Sequence, residues 1–293
     1  MQCCQHAAPA LAEVSGEDVV ARMQFRTALA AAALALAAAQ FAAPATAQPP
    51  PRKLDLSYSG SLNALHLTGD LKVLALHVSE QAGAGQFDTH ADLHSYGVLR
   101  AFKRIDVWTA SAGPVEAGLP RPHVFDFIET KKDGSRKRTV LTWEAGAVVS
   151  QPPHRPFGHP PPTTALELSA SDPVTQMSRI AYAASGGAIC GHSWRFFDGV
   201  QLYDLPLGPP QPDQPTARDK AMGVTQTAHC VVHYVEVAGF RHKPGADTGI
   251  RSEISARFGR LGAAGPWVAL TLKADTLMGY AKVQLDTIHV GPA

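Results

Sequence analysis

Residues 190–205 read CGHSWRFFDGVQLYDL and carry the clearest structural signal of the chain. The dipeptide Asp198-Gly199 favours the tight turn of a β-hairpin, and runs rich in aromatic and aliphatic residues flank it on both sides. The stretch therefore predicts two antiparallel strands, residues 190–197 and 200–205.

Short segments of strand character continue on both sides of this hairpin. Phe87, Thr89, Ala91 and Leu93 alternate with charged or histidine residues, which is the pattern of a strand with one buried face. Residues 71–78 are apolar at most positions and predict a strand buried on both faces. Further strands are predicted at residues 105–110, 123–129, 137–143, 226–237, 252–258, 267–273 and 280–290. The 25 glycines and 23 prolines supply the turns between them.

One helix is predicted among the strands. Asp172 suits the N-cap position and Pro173 suits the first helical position. Apolar residues then recur at helical spacing until Gly186-Gly187, which ends the pattern. We therefore predict an all-β, mainly antiparallel fold: a curved sheet or a partly open β-barrel-like domain with one short helix.

The first 47 residues have the features of a signal peptide. Arg26 precedes an uncharged apolar run at residues 28–39, and Ala45-Thr46-Ala47 fits the cleavage motif. The acidic residues before Met23 do not suit a signal peptide, which makes Met23 the predicted start. The apolar run is shorter than the ~20 residues that a membrane span needs. The alternative is an alanine-rich buried helix.

The signal peptide predicts transport to the periplasm of a Gram-negative bacterium, with Gln48 as the new N-terminus. Residues 48–53 are predicted to be a linker. No repeat or change of composition divides the rest, so residues 54–293 are predicted to form a single β-rich domain.

Two cysteines remain after cleavage, Cys190 and Cys230. An even number of cysteines in an exported protein predicts a disulfide between them. Two free buried thiols are the alternative. Metal binding by these cysteines is disfavoured, because no second pair lies at zinc-finger spacing.

Composition and motifs exclude several functions. A formal net charge of +1 disfavours a nucleic-acid-binding protein. The chain contains no Gly-x-Ser-x-Gly motif, no His-Glu-x-x-His motif and no glycine-rich phosphate loop. We therefore predict neither a cofactor nor a metal site, and we expect no transmembrane segment in the mature chain.

Two pairs of histidines are the candidates for catalytic chemistry. His90 and His94 lie on the polar face of one predicted strand, and His229 and His233 lie on another. Residues four apart on a strand are separated by ~13 Å, so neither pair can share a metal ion without ligands from elsewhere. A solvated polar face explains the first pair equally well. A periplasmic hydrolase with a histidine-based or metal site is the alternative function.

Basic residues cluster around the turn at Asp133-Gly134. Such a cluster is typical of a solvated hairpin tip. Contact with an anionic surface, such as phosphate-bearing lipid or glycan, is the alternative. Its members are Lys131, Lys132, Arg136, Lys137 and Arg138.

The order and spacing of four stretches resemble the bacterial exported family called domain of unknown function 3108. These stretches are Gly118-Leu119-Pro120-Arg121-Pro122 with the basic hairpin after it, Asp172-Pro173, Phe197-Asp198-Gly199 with Tyr203, and Ala228-His229-Cys230 with Val237-Ala238-Gly239-Phe240. The resemblance implies a β-rich envelope protein and assigns no catalytic residue. Together with the missing catalytic motifs, it predicts non-catalytic binding of an apolar or amphipathic envelope ligand, or of a partner protein.

Overall fold

The computed structural model describes residues 52–64, 71–83, 85–102, 104–153, 157–184, 188–241, 250–263, 265–276 and 279–292. The predicted signal peptide, residues 1–47, lies outside these residues. Fifteen strands are present in the described part. They are β1 Arg52–Ala64, β2 Leu71–Gly83, β3 Gln86–Ser95, β4 Asp106–Glu116, β5 Leu119–Pro120, β6 Val124–Thr130, β7 Arg136–Glu144, β8 Ala147–Gln151, β9 Ser193–Phe197, β10 Leu202–Pro206, β11 Val224–His233, β12 Val235–Ala238, β13 Ile250–Leu261, β14 Trp267–Thr276 and β15 Gly279–Pro292.

Twelve of the strands form one antiparallel sheet. The order along it is β11-β13-β14-β15-β1-β2-β3-β4-β6-β7-β8, and β5 pairs with β4. The alternation predicted for β3 is confirmed, because Phe87, Thr89, Ala91 and Leu93 are at most 2% exposed. The all-β antiparallel fold predicted from the sequence is therefore the observed fold.

Four helices accompany the strands in the described part. They are α1 Gly97–Phe102, α2 Thr164–Ser169, α3 Pro173–Ala184 and α4 Ala217–Ala221. The sequence predicted only α3, because the other three have five or six residues and are too short to show helical periodicity. No helix among the described residues has the length and apolarity needed to cross a membrane.

Helix α3 lies inside the curve of the large sheet. It contacts β3 and β4 on one side and β14 on the other. In a flat sheet β4 and β14 would be five strand spacings apart, or about 24 Å, whereas a helix is about 10–12 Å wide. One helix can touch both strands only because the sheet curves around it. Residues 173–178 are all buried, so the first turns of α3 are enclosed on every side.

A second sheet, in the order β12-β10-β9, lies between the two ends of the large sheet. Phe196 belongs to the main core, with residues of β1 to β4, β11 and β13 to β15. Its neighbour Phe197 points the opposite way, into a smaller core with Phe125, Leu141 and Val148 of β6, β7 and β8. The small sheet is therefore buried on both faces, and it fills the opening by side-chain packing.

The prediction of a single strand at residues 226–237 is wrong. The chain leaves the large sheet after His233, and β12 then pairs with β10 of the small sheet. The ring of Tyr234, at the break, lies 5.1 Å from Tyr203 and 6.3 Å from Phe240. Because residues on both sides of the break favour strands, residue preferences alone do not mark it.

Two smaller predictions are also corrected. Arg52 and Lys53 belong to β1 and not to a linker, because they pair with Ala82 and Gln81 of β2. The strand at residues 71–78 is buried mainly on one face, since Ala75 is exposed.

The predicted disulfide is present. Cys190 and Cys230 are bonded with their Cα atoms 6.0 Å apart, and both are part of the main core. The sequence predicted Cys190 to lie in a strand. It lies instead in the turn before β9. The bond fastens the start of the small sheet to β11, at one end of the large sheet.

Candidate functional site

A line of polar side chains crosses the inner face of the large sheet, where apolar residues would be expected. Cross-strand pairing places Glu80 of β2 opposite Thr89 of β3, and Thr89 opposite Ser111 of β4. The same line begins at Leu54 of β1 and continues to Phe125 of β6. The three polar residues are at most 1% exposed. They therefore interrupt an otherwise apolar row in the interior.

Three polar residues at or near the start of α3 face this line. Asp172, Thr175 and Ser178 are spaced by three residues, so they lie along one side of the helix. All three are fully buried. We call these three and the three sheet residues (Glu80, Thr89 and Ser111) the polar row.

Hydrogen bonds connect the helix half of the polar row to the sheet half. The Ser178 hydroxyl donates to Oε2 of Glu80 at 2.7 Å and lies 3.5 Å from the Thr89 hydroxyl. The Ser111 hydroxyl donates to Oδ2 of Asp172 at 2.9 Å and lies 2.7 Å from the Thr175 hydroxyl. Helix and sheet are thus joined by polar contacts in the core.

Asp172 is also the helix cap that the sequence predicts. Its Oδ1 accepts the backbone N–H of Thr175 at 2.8 Å, which satisfies one of the free amides at the start of the helix. The contact of its second oxygen with Ser111 could not be read from local sequence, because 61 residues separate the two.

The two carboxyl groups of the polar row differ in charge at neutral pH. Burial raises the pKa of Glu80 to about 8, although hydrogen bonds from Ser178 and Thr89 oppose the rise. Burial also raises the pKa of Asp172, to about 6, against the hydrogen bonds from Thr175 and Ser111. At pH 7 Glu80 is therefore mainly protonated, and Asp172 is mainly ionised.

Two oxygen atoms at the polar row are buried without a hydrogen-bond partner in the described structure. They are Oε1 of Glu80 and Oγ1 of Thr109. Thr109 is on the same face of β4 as Ser111, two residues away, or about 6.7 Å, and it is 3% exposed. A buried polar atom that makes no hydrogen bond costs about 1–3 kcal/mol, so each of these two oxygens would gain from a partner supplied by a water or a bound molecule.

The polar row can hold and orient a polar group. No histidine is among the hydrogen-bond partners given above for its members. Sequence analysis identified only Asp172 of this site, and only as a helix cap. The regular spacing of Asp172, Thr175 and Ser178 was the one signal of a polar helix face.

The histidines do not come together. His90 and His94 lie on β3, which is six strands away from β11 with His229 and His233. Each pair lies on the face of its strand opposite the buried residues. His94 lies 3.3 Å from Asp106, and the His229 ring lies 2.9 Å from the Ser255 hydroxyl. No group of three or more metal-ligating side chains occurs within the part of the chain that the structure describes.

Asp106 explains the local setting of His94. It also binds Arg100, with 2.7 Å between Nη1 and Oδ1, and it contacts Arg104. The hydrogen bonds from Arg100 and Arg104 hold the pKa of Asp106 well below its usual range. Asp106 therefore acts as an ion-pair centre at the start of β4.

The basic residues at the β6–β7 turn divide into two groups. Arg138 forms a two-pronged ion pair with Asp126, with the shorter contact at 2.6 Å. Lys137 is partly buried, and its charge acts on Asp198. The other three, Lys131, Lys132 and Arg136, are exposed at the tip. We call these three residues the basic tip.

Comparisons with known proteins find little. No family model matches the sequence, and no curated protein does either, so the resemblance to domain of unknown function 3108 gains no support from a family match. Among solved structures, the chain is similar to a beta-barrel-like protein of domain of unknown function DUF1849 from Brucella abortus. The two are 15% identical, with a TM-score of 0.43 over 84% of this chain and all of that one.

Proposed function

We propose that this chain is a non-catalytic binding protein of the bacterial envelope that holds an amphipathic ligand inside its curved sheet. The observation that carries the proposal is the pair of buried oxygens without a partner, Oε1 of Glu80 and Oγ1 of Thr109. A ligand hydroxyl or carbonyl at the polar row would complete their hydrogen bonds.

The surroundings of the polar row indicate what else the ligand contains. The neighbouring inner-face positions are apolar and buried, among them Val78, Ala91 and Phe125. Because Glu80 is mainly protonated at neutral pH, it can donate as well as accept a hydrogen bond. A neutral polar group attached to an apolar chain matches both properties, as is typical of ligand sites with few polar groups in an apolar lining.

Native mass spectrometry of the protein purified from a periplasmic extract tests this proposal. We expect a non-covalent adduct that is released under denaturing conditions, and weaker retention of the adduct in the double variant Glu80→Leu with Thr109→Val. Glu144→Leu, at an exposed position, is the control and should retain the adduct. The proposal is wrong if the wild-type protein carries no adduct and also binds neither dodecanol nor dodecanoate when they are added.

The proposal includes export to the periplasm. It is supported by Arg26, the uncharged run at residues 28–39 and the Ala45-Thr46-Ala47 motif. N-terminal sequencing of the protein from a periplasmic fraction should begin at Gln48. Recovery of the protein from the cytoplasm with residues 1–22 attached would contradict both the start at Met23 and the export.

We propose further that the basic tip contacts an anionic lipid surface. Each lysine or arginine near such a surface contributes about 1 kcal/mol to binding. Vesicles with anionic phospholipid should therefore bind the protein at least about tenfold more tightly than neutral vesicles. Replacing Lys131, Lys132 and Arg136 by alanine should remove this difference, and Lys220→Ala should not. Equal binding to both kinds of vesicle would leave the tip as a solvated turn.

A further inference from the structure

Arg179 of α3 is an arginine without a carboxylate partner among the described residues. Its side chain is partly buried, and its Nε is fully buried with no hydrogen-bond acceptor. Nη1 donates to the Ser171 hydroxyl at 2.7 Å and to Oε1 of Gln176 at 3.4 Å. Both acceptors are neutral and buried. The guanidinium is therefore held in place, but its charge is not balanced.

Two other partly buried arginines have acidic partners. Arg195 binds Asp204 at 2.8 Å with 34% of its side chain exposed. Arg257 binds Asp213 at 2.7 Å and Asp219 at 2.8 Å with 21% exposed. Arg179 lacks such a partner among the described residues, and an unbalanced charge away from water is costly.

The groups around Arg179 confirm that the imbalance is local. Asp172 is the nearest acid along the chain, and its oxygens accept from Ser111 and from the Thr175 amide. Arg121 directly follows β5, a strand that packs against α3, and its charge acts on Arg179. Burial lowers the pKa of Arg179, and the positive charge of Arg121 lowers it further. Arg121 forms an ion pair with Glu116 at 3.2 Å, and both of these side chains are more than half exposed.

We propose that Arg179, assisted by Arg121, binds the anionic group of a ligand, a carboxylate or a phosphate. The planar guanidinium can give such a group two parallel hydrogen bonds, and the unused Nε–H is one of the donors required. The inference rests on the proposed function in one respect: it makes this anion the charged end of the amphipathic ligand. The ligand would then place its charged end near α3 and β5 and its apolar part in the interior of the sheet.

Titration calorimetry with dodecanoate, dodecyl phosphate, dodecanol, acetate and inorganic phosphate tests this inference. We expect the two long anions to bind wild-type protein at least about tenfold more tightly than dodecanol, a gain typical of a charge-assisted pair. Arg179→Gln should remove that preference and leave the binding of dodecanol unchanged. Arg121→Gln should reduce the preference severalfold, and Lys220→Gln, which removes an exposed charge elsewhere, should have no effect.

The outcomes separate this inference from the function on which it rests. Equal binding of dodecanol and the long anions would overturn the anion site and leave the binding function intact. Arg179-dependent binding of phosphate or acetate, with no long-chain compound bound, would support the anion site for a free ion and overturn the amphipathic ligand. If no probe binds, both are wrong. Arg179→Lys provides a folding control, because it retains the charge but not the paired donors, and it should bind the long anions with an intermediate affinity.

Discussion

Glu80 links a single ionisable group to the stability of the whole protein. Its pKa is about 8 in the folded state, against an ordinary value of 4.5. Between these two values the unfolded chain releases the proton and the folded protein keeps it, so the contribution of Glu80 to the free energy of unfolding falls as pH rises from about 4.5 to about 8. Each pKa unit of difference is worth about 1.4 kcal/mol.

Glu80→Gln should remove this pH dependence. Glutamine resembles the protonated acid, so the variant should gain stability over wild type as pH rises through this range, and the two should be similar below pH 4.5. Urea denaturation at several pH values measures the difference. The control Glu144→Gln changes an exposed residue and should follow wild type at each pH. A constant difference between Glu80→Gln and wild type would show that Glu80 is ionised in the folded protein.

Sequence reasoning at this scale depends on how far apart the interacting residues are. The Asp172 cap was predicted because its backbone partner is three residues away. The disulfide was predicted because only two cysteines remain after residue 47. Glu80 was missed because Ser178 is 98 residues away. An isolated glutamate in a strand pattern reads as a surface residue until the pairing of the strands is known.

At the scale of elements, the small sheet depends on one close approach of two chain segments. Gly239 follows β12 with φ of 84°, and a Cβ atom there would lie 1.9 Å from the carbonyl oxygen of Val200. Gly118 has a similar φ of 77°, but a Cβ atom there would meet nothing within 4 Å. Alanine at Gly118 would therefore destabilise the protein only through the positive φ, whereas alanine at Gly239 would destabilise it through the positive φ and through a steric clash with the backbone of Val200.

We expect Gly239→Ala to destabilise the protein much more than Gly118→Ala. Gly118→Ala is the control, and it should lose only the free energy needed to hold a residue with a side chain at positive φ, about 1–2 kcal/mol. Gly239→Ala must in addition move β12 away from the segment before β10. Thermal unfolding of both variants measures the two costs. An equal decrease in melting temperature in the two variants would mean that the small sheet accommodates the extra Cβ atom at residue 239 without a steric cost.

The disulfide also acts between elements, since it closes a loop of 40 residues that contains β9, β10 and α4. Loop closure of this length stabilises the folded state by roughly 4 kcal/mol on the chain-entropy model. The double variant Cys190→Ala with Cys230→Ala should therefore unfold at a clearly lower temperature. A reducing agent should lower the melting temperature of wild type and leave that of the variant unchanged. If reduction has no effect on wild type, the bond contributes nothing to stability.

Strands and helices were predicted correctly where a short stretch of sequence is enough to specify them. The hairpin of β9 and β10 followed from Asp198-Gly199, and α3 followed from its cap and apolar spacing. The break at Tyr234 was missed because the strand changes partner without losing its strand-forming residues. The ring of Tyr234 contacts Tyr203 and Phe240 at this break, and contacts between elements are not visible in local sequence.

At the scale of the molecule, the sheet order keeps the two histidine pairs apart. Because five strands lie between β3 and β11, we expect no stoichiometric metal in the purified protein. The double change His90→Ala with His94→Ala should leave the melting temperature nearly unchanged, with or without a chelator. Elemental analysis and thermal unfolding provide the test. One equivalent of zinc that is lost in this variant would restore the hydrolase hypothesis.

The order of strands is the part of the fold that the sequence could not provide. Antiparallel strands and a curved sheet follow from alternation and turn residues, but many orders satisfy the same pattern. The choice among them depends on which inner faces pack together, such as Leu54, Leu56 and Tyr58 of β1 in the main core. The sequence alone does not show which of the possible strand orders packs these inner faces best.

The pairing of β1 with β15 has a consequence for the time course of folding. Arg52 is opposite Pro292 and Leu54 is opposite Val290, so the first and last strands meet across nearly the whole described chain. Contacts between residues so distant in sequence form slowly, because a very long loop must be closed before they bring any gain. Until β15 has emerged from the ribosome, one edge of β1 has no neighbour. The seam between these two strands is therefore the last part of the sheet that can close.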